Sequence, residues 1–313
     1  MHILITGSAG FIASHLVEHI LSQGHSVTGI DNYITGRVKN IKSVLDNSSF
    51  HFIEHDILTF DYLTIKTPVD IVFHMASPAS PIQYKKHPVE TLQVNSVGTQ
   101  QALDFASEKN AVLVFASTSE VYGDPLVHPQ VEWYWGNVNP NGVRSCYDEA
   151  KRFGEAMCMT YVRTKKTQVR IARIFNTYGP RMDVDDGRVI SNFIVQSLKN
   201  ESISIYGTGE QTRSFCYVSD LVLGLWALAT KQLEAGEVIN LGNPNEMTIR
   251  EIANKIKIAT ESTSILVQKP IDKDDPLKRK PDISKAKELL DWEPIISVDE
   301  GLRKTIEYFK SIL

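Results

Sequence analysis

Apolar residues along this chain come in two rhythms. HILITG, HSVTGID, SSFHFIEHDI, VDIVFHMA, AVLVFAS and QVRIARI are or contain short runs that are apolar almost throughout. Between them, GFIASHLVEHILSQG, PVETLQVNSVGTQQALDFASEKN and YDEAKRFGEAMCMTYVRTK repeat their apolar positions at the helical period. Strands without polar alternation are buried on both faces, and their alternation with helices signals parallel βαβ units. The pattern predicts an α/β fold, a doubly wound parallel sheet (Rossmann), over residues 1–178. Its binding crevice is expected at the carboxyl ends of the strands.

Beyond about residue 180 the rhythm changes. RVISNFIVQSLKN reads as a helix, and SISIYGTGEQTRSFCYVSD as two short strands around a Gly-rich turn. VSDLVLGLWALATK is helical, and EVINLGN is suited to return a strand to the main sheet. The first domain is therefore expected to be rejoined by about 215–242. A smaller C-terminal substrate-binding lobe is expected over 179–313, ending in the helices of TIREIANKIKIAT, ISKAKELLDWEP and VDEGLRKTIEYFKSIL. KPIDKDDPLKRKPD, charged and Pro-rich, predicts a loop.

Composition narrows the partners. A net charge of -4 gives no reason to expect nucleic acid or an anionic membrane. No apolar run is long enough to span a bilayer. The three cysteines, Cys146, Cys158 and Cys216, have no metal-ligand spacing and make no disulfide framework. No metal is expected. Met1-His2 leads directly into a strand pattern, with no basic or apolar leader before it, so the expected location is cytoplasmic.

The first candidate chemistry lies in TGSAGFIA, between the first strand and the first helix. Gly7 and Gly10 allow a tight turn that can approach a pyrophosphate, and Ala13 keeps the third position small. The helix start then offers its positive dipole end to phosphate. Asp31 ends the second strand, where a carboxylate can bind both ribose hydroxyls and repel a 2′-phosphate. That favours NAD over NADP, with Arg37 nearby as the one feature against it. His55-Asp56 suits an adenine edge or a helix cap. The expected cofactor set is Gly7, Gly10, Phe11, Ile12, Asp31, Asn32, Thr35, Gly36, Asp56, Ile57, Ala76, Ser77 and Ala116, with Tyr147 and Lys151.

The second lies where the apolar run Val112–Ala116 ends in Ser117, Thr118, Ser119 and Glu120. Strand ends face the crevice, so these are expected in a site. Tyr147 and Lys151 are four apart on a helix and share a face. An ammonium beside a phenol lowers its pKa, and a tyrosine so tuned can take a proton from an alcohol while hydride leaves for NAD.

Those motifs resemble the extended short-chain dehydrogenase/reductases that act on nucleotide sugars. Narrower blocks, HMASPASPIQY, ASTSEVYGDPLVHPQ, YWGNVNPNGVRSCYDEAKR, RIFNTYGPRMDVDDGRVISNF, GTGEQTRSFCYVSDLV, VINLGNPNEMTI and KRKPDISKAKELLDWEP, resemble the UDP-glucuronate decarboxylase (UDP-xylose synthase) family over nearly the full length. Ala13 departs from the family's usual glycine, and Trp133 stands where the family tends to be acidic. The resemblance implies an NAD-dependent homodimer acting on a UDP-sugar.

It also implies a cycle. Oxidation at C4 of the glucuronate makes a β-keto acid, which loses CO2. C5 is protonated and C4 is reduced again. Tyr147 would be the base at O4, Lys151 its pKa-lowering partner, and Thr118 and Ser119 the residues that hold the sugar. Glu120 would position the sugar and handle a proton near C5. Arg279 aligns with the arginine the family places near the sugar carboxylate and is a candidate C5 proton donor. Arg213 and Arg188 are candidates for the diphosphate. Asn176 suits phosphate or sugar, Tyr206 the uracil, and Arg144 and Gln211 complete the substrate set. The competing readings are a nucleotide-sugar 4-epimerase, a 4,6-dehydratase, for which Ser119 replaces the expected acid, and a non-catalytic NAD-binding sensor.

Overall fold

The computed structural model describes residues 1–270 and 278–313. Seven strands form one sheet: β1 (His2–Thr6), β2 (Ser26–Asp31), β3 (Phe50–Glu54), β4 (Ile71–His74), β5 (Val112–Thr118), β6 (Val169–Ile174) and β7 (Glu237–Leu241). Their spatial order is β7-β6-β5-β4-β1-β2-β3, and every pairing is parallel. The order reverses at β1 and β4, which creates a crevice beyond their carboxyl ends.

Alternate residues of each strand enter opposite faces, and both faces are covered. Ile3, Ile5, Phe73 and Val114 join one buried cluster, and Leu4, Val72, Leu113 and Phe115 the other. Helices α1 (Phe11–Ser22) and α4 (Val218–Thr230) pack together on the first side. Helices α2 (Thr99–Lys109) and α3 (Ser145–Lys165) pack together on the second. His74 is pinned in the core between Thr6 and Thr99, and burial lowers its pKa to about 3.

The helix predicted from Pro88 to Asn110 is interrupted. An α-helical start, Pro88–Gln93, passes through a wide turn, Val94–Gly98, before α2. The turn buries Asn95, whose side-chain amide donates to the Thr91 carbonyl at 2.8 Å and to Ser77 Oγ at 2.9 Å. A one-turn widening of this kind aims a side chain that a regular helix would misplace.

Between β6 and β7 the chain leaves the sheet to begin the smaller lobe. Ile203–Tyr206 pairs with Leu266–Lys269, and Thr212–Ser214 lies between Glu246–Thr248 and Lys278–Arg279. The helix Ile249–Ala259 starts with a capping box between Thr248 and Glu251. The predicted loop KPIDKDDPLKRKPD crosses 271–277, which lie outside the described residues. Its end differs from that expectation: Lys278–Arg279 is a short strand parallel to Thr212–Arg213. Among the described residues, no helix is long and apolar enough to cross a membrane.

Helix α3 approaches the sheet closely at Gly154, where an added Cβ would stand 2.4 Å from the Phe115 ring. Alanine usually stabilises a helix interior, but overpacking outweighs that gain here. Gly154→Ala is expected to lower stability by about 1–3 kcal/mol, read as a lower denaturant midpoint. An unchanged or higher midpoint would contradict this packing.

Candidate active site

The strand ends open onto one cavity of about 520 Å³, a volume typical of ligand sites. At one side of it β1 ends and the chain turns through Gly7, at φ +71. A Cβ on Gly7 would stand 2.7 Å from the Ala76 Cα, so conformation and space both require glycine. The Gly10 amide donates to the Gly7 carbonyl at 3.0 Å, and Gly10 opens α1. Gly7, Gly10, Phe11 and Ile12 line the cavity, which therefore meets the helix's positive end. Ala13 is buried behind them.

Asp31, at the tip of β2, accepts the amides of Ala9 at 2.9 Å and Tyr33 at 2.7 Å. Burial raises its pKa, against the pull of those two bonds. Each carboxylate oxygen thus already holds one backbone donor, which limits what it offers a ribose. Asp31, Asn32, Asp56, Ile57 and Ala76 line a smaller adjoining cavity of about 90 Å³, and Thr35 and Ser77 border both. Asp56 accepts from the Asn32 side chain at 3.1 Å and the Leu58 amide at 2.9 Å. Gly36 lines neither cavity: it packs on Asp31, where a Cβ would stand 2.6 Å from Oδ1. Arg37, the feature weighed against NAD, is ion-paired with Asp183 on the lobe side of the main cavity.

Elsewhere on the cavity, β5 and the short turn after it bring Ala116, Thr118, Ser119 and Glu120 to the same wall as Tyr147 and Lys151 of α3. Thr118 acts on the Tyr147 phenol, lowering its pKa, and Thr118 Oγ1 accepts the Glu120 amide at 3.2 Å. Lys151 Nζ donates to the Ala116 carbonyl at 2.7 Å. It lies 5.1 Å from the Phe115 ring centroid and 5.9 Å from that of Tyr147. Burial lowers the Lys151 pKa to about 7. The phenol does not behave as the spacing predicted. Burial pushes its pKa up, with the Thr118 bond as the main opposing influence, because the ammonium is turned to a carbonyl and lies beneath the rings.

Glu120 is clamped by two guanidiniums. Arg279 Nη2 donates to Oε2 at 2.9 Å, Arg279 Nη1 bonds Oε1, and Arg144 Nη2 bonds Oε2. Burial favours the neutral acid, but the charges of Arg279 and Arg144 hold Glu120 down at about 2. Arg279 is buried, so it is not the solvated charge its sequence neighbourhood suggested. Its short strand is braced on both sides. The Ser214 hydroxyl donates to the Arg279 carbonyl at 2.9 Å. Gln130, fully buried, donates its backbone N–H to the Lys280 carbonyl and accepts the Lys280 backbone N–H on Oε1, each at 2.8 Å.

Asp148 lies behind this cluster, with Oδ2 at 3.6 Å from Arg144 Nε. Its Oδ1 is buried with no hydrogen-bond partner among the described residues. Burial, then the charge of Glu120, raise its pKa to about 7.

The lobe contributes Asn176, Arg188, Tyr206, Gln211 and Arg213 to the wall. Arg188 is held by both carboxylate oxygens of Asp186, at 2.5 and 2.7 Å, and its charge acts on Tyr147. Arg213 is buried and donates to the Thr212 carbonyl at 2.9 Å. Gln211 donates to the Tyr206 carbonyl at 2.5 Å. Sequence reasoning missed Ser80, Tyr84, Arg181, Asp183 and Asp186 on this wall. Tyr84 stacks on Tyr147 with centroids 5.0 Å apart and ring planes at 6°. Its only sequence signal was its place in HMASPASPIQY.

The chain matches the model of the NAD dependent epimerase/dehydratase family over residues 3–242. It is 50% identical over 307 residues to UDP-glucuronic acid decarboxylase 1 of Danio rerio, which spans 98% of this chain and 72% of that protein. It is 49% identical over 312 residues to UDP-glucuronic acid decarboxylase 2 of Arabidopsis thaliana, spanning 99% and 68%. Among solved structures, the UDP-glucuronic acid 4-epimerase of Bacillus cereus in complex with UDP-glucuronic acid and NAD superposes with a TM-score of 0.91, at 31% identity and 100% coverage of both chains. The UDP-glucose 4-epimerase of Thermotoga maritima with UDP-glucose gives 0.90 at 31%, covering 100% of this chain and 99% of that one.

The Asp148 environment has a sign that can be tested. Its folded pKa lies above the unfolded one, so between 3.8 and about 7 the native protein binds more protons than the unfolded chain. Stability contributed by this group falls as pH rises through that window. Asp148→Asn removes the titration. Its stability relative to the parent should therefore rise from about pH 4 to about pH 7, as measured by denaturant unfolding. A difference that stays constant over the window would refute the assignment.

Proposed function

The chain belongs to the NAD dependent epimerase/dehydratase family and, within it, to the UDP-glucuronic acid decarboxylases, and from that premise we infer how its residues decarboxylate UDP-glucuronate. NAD is its cofactor. The Gly7 turn, which no Cβ can enter, and the start of α1 fit a dinucleotide diphosphate, with Asp31, Asn32, Asp56 and Ile57 towards the adenosine. When bound, NAD would supply reversible hydride transfer at C4 of the sugar.

The observation that carries the division of labour is the joining of two kinds of site at the tip of β5. Thr118 and Tyr147 form a hydroxyl pair suited to a sugar alcohol. Tyr147 takes the O4 proton and later returns it, and Thr118 orients O4. Lys151 supplies positive charge beneath the phenol and faces the cofactor. One residue beyond Ser119, Glu120 holds Arg279 and Arg144 in place. An arginine there orients the C6 carboxylate of a glucuronate. With a ketone at C4 the C6 carboxylate is β to a carbonyl, so its bonding electrons can pass into an enolate as CO2 departs. Ser119 and Asn176 hold the sugar, Arg213 and Arg188 the diphosphate, and Tyr206 and Gln211 the uracil end. The product is UDP-xylose.

We also propose a homodimer. Exposed Val89, Leu92 and Phe153 lie on the adjacent helices Pro88–Gln93 and α3, an apolar surface that a second copy would cover. A cytoplasmic location agrees with the free thiols Cys146, Cys158 and Cys216.

Purified protein with UDP-glucuronate and catalytic NAD is expected to release CO2 and UDP-xylose in equal amounts with no net NADH. UDP-galacturonate without CO2 would overturn the reading and the role of Arg279.

A further inference from the structure

The decarboxylation consumes one proton at C5 that no step returns. The proton Tyr147 takes from O4 must go back to O4, so it cannot also serve C5. Glu120 is held ionised by Arg279 and Arg144, and guanidiniums keep their protons at working pH. Lys151 donates to the Ala116 carbonyl and lies beneath the Phe115 and Tyr147 rings, where it serves the phenol at O4. The groups proposed so far therefore leave the carbon without a proton source.

Two further groups stand beside them. Tyr84 lines the cavity and lies face to face with Tyr147, one ring away from the base at O4. Its hydroxyl is buried and has no hydrogen-bond partner among the described residues. The Asp148 Oδ1 is also buried and without a partner among them. The charged and titratable neighbours of Tyr84 include Arg144, Glu120, Asp148 and Tyr147, with Cys146, whose Sγ donates to the Tyr84 carbonyl and which also feels the charge of Asp148. Those of Asp148 are Glu120, Arg144 and Arg279, with Tyr147 adjacent in sequence. An orphaned phenol and an orphaned carboxyl in one buried cluster are expensive unless they exchange a proton or a bridging water. C4 and C5 are adjacent carbons, as the two stacked phenols are adjacent rings.

Resting on the decarboxylase reading above, we propose that Tyr84 donates the C5 proton and that Asp148 is the reservoir that reloads it. The C5–C6 bond breaks, CO2 leaves, and the electron pair enters the C4–C5 enolate. The enolate closes back to the C4 ketone as C5 takes the proton from Tyr84 Oη, whose bonding pair stays on that oxygen. The resulting phenolate recovers a proton from the Asp148 carboxyl, directly or through one water, and Asp148 recharges from solvent. Burial pushes the Tyr84 phenol up, which keeps it protonated until a carbon base appears. A carboxyl held at about 7 exchanges readily at neutral pH.

The test runs the reaction in D2O and locates deuterium at C5 of UDP-xylose by NMR. The parent should carry it at one of the two C5 positions. Tyr84→Phe should still release CO2 in the first turnover. It should then slow C5 protonation by about 10²–10⁴-fold, accumulate NADH, and scramble deuterium over both C5 positions of the product that does form. Asp148→Asn should keep single-position labelling but accumulate NADH after the first turnover, as reloading slows. Single-position labelling without NADH accumulation in Tyr84→Phe would overturn the proposal and leave water as the donor. Loss of CO2 release in a folded Tyr84→Phe would also overturn it, by moving Tyr84 to the oxidation step. Should Tyr84→Phe fail to fold, Asp148→Asn decides alone: parent-like turnover refutes the relay. A parent enzyme that releases no CO2 would instead sink the decarboxylase reading itself.

Discussion

A carboxylate taken out of water is tolerated only where counter-charges meet it at hydrogen-bonding distance. Burying an ion costs several kcal/mol even after relaxation, and losing one partner leaves the other stranded. Glu120 at the tip of β5 sets that condition. Its partners arrive from distant parts of the chain: Arg144 just before α3, and Arg279 from a two-residue strand in the smaller lobe. Satisfying one charge therefore fixes how the lobe sits on the sheet. Gln130 and Ser214 extend the demand outward by holding the backbone on either side of Arg279.

The sheet and its crevice were legible because their causes are local. Apolar runs without alternation specify strands covered on both faces, and the sheet shows that in the opposite destinations of Ile3 and Leu4 or Val114 and Phe115. The Gly7 turn was legible for the same reason, since positive φ and the contact with Ala76 leave a mark in residue type. Apart from Gly36, the residues picked for the site lie on the two adjoining cavities. Much of that set came from family resemblance, because no periodicity distinguishes Arg279 from the lysines beside it.

What was not legible depends on contacts far apart in sequence. A two-residue strand has no period to read, so Lys278–Arg279 looked like loop. The widened turn at Val94–Gly98 follows from where Asn95 must reach. The spacing of Tyr147 and Lys151 was visible, but not the dominance of burial over their mutual influence. Tyr84 and Asp148 carry no signal of their own. One lies inside a motif and the other beside Tyr147, and only packing reveals that both are buried near Glu120.

The return of β7 to the edge of the sheet has a consequence for how such a protein can change. The lobe begins as an excursion between β6 and β7, so the chain cannot be divided there into interchangeable modules. A piece ending after β6 would lack its neighbour and expose the backbone edge of β6 to other chains. The register from Arg170 with Glu237 to Ile174 with Leu241 is thus a fixed frame around a variable interior. The cavity wall can change through residues carried between those two strands, such as Arg188, Tyr206, Gln211 and Arg213, while the seven-stranded sheet stays as it is.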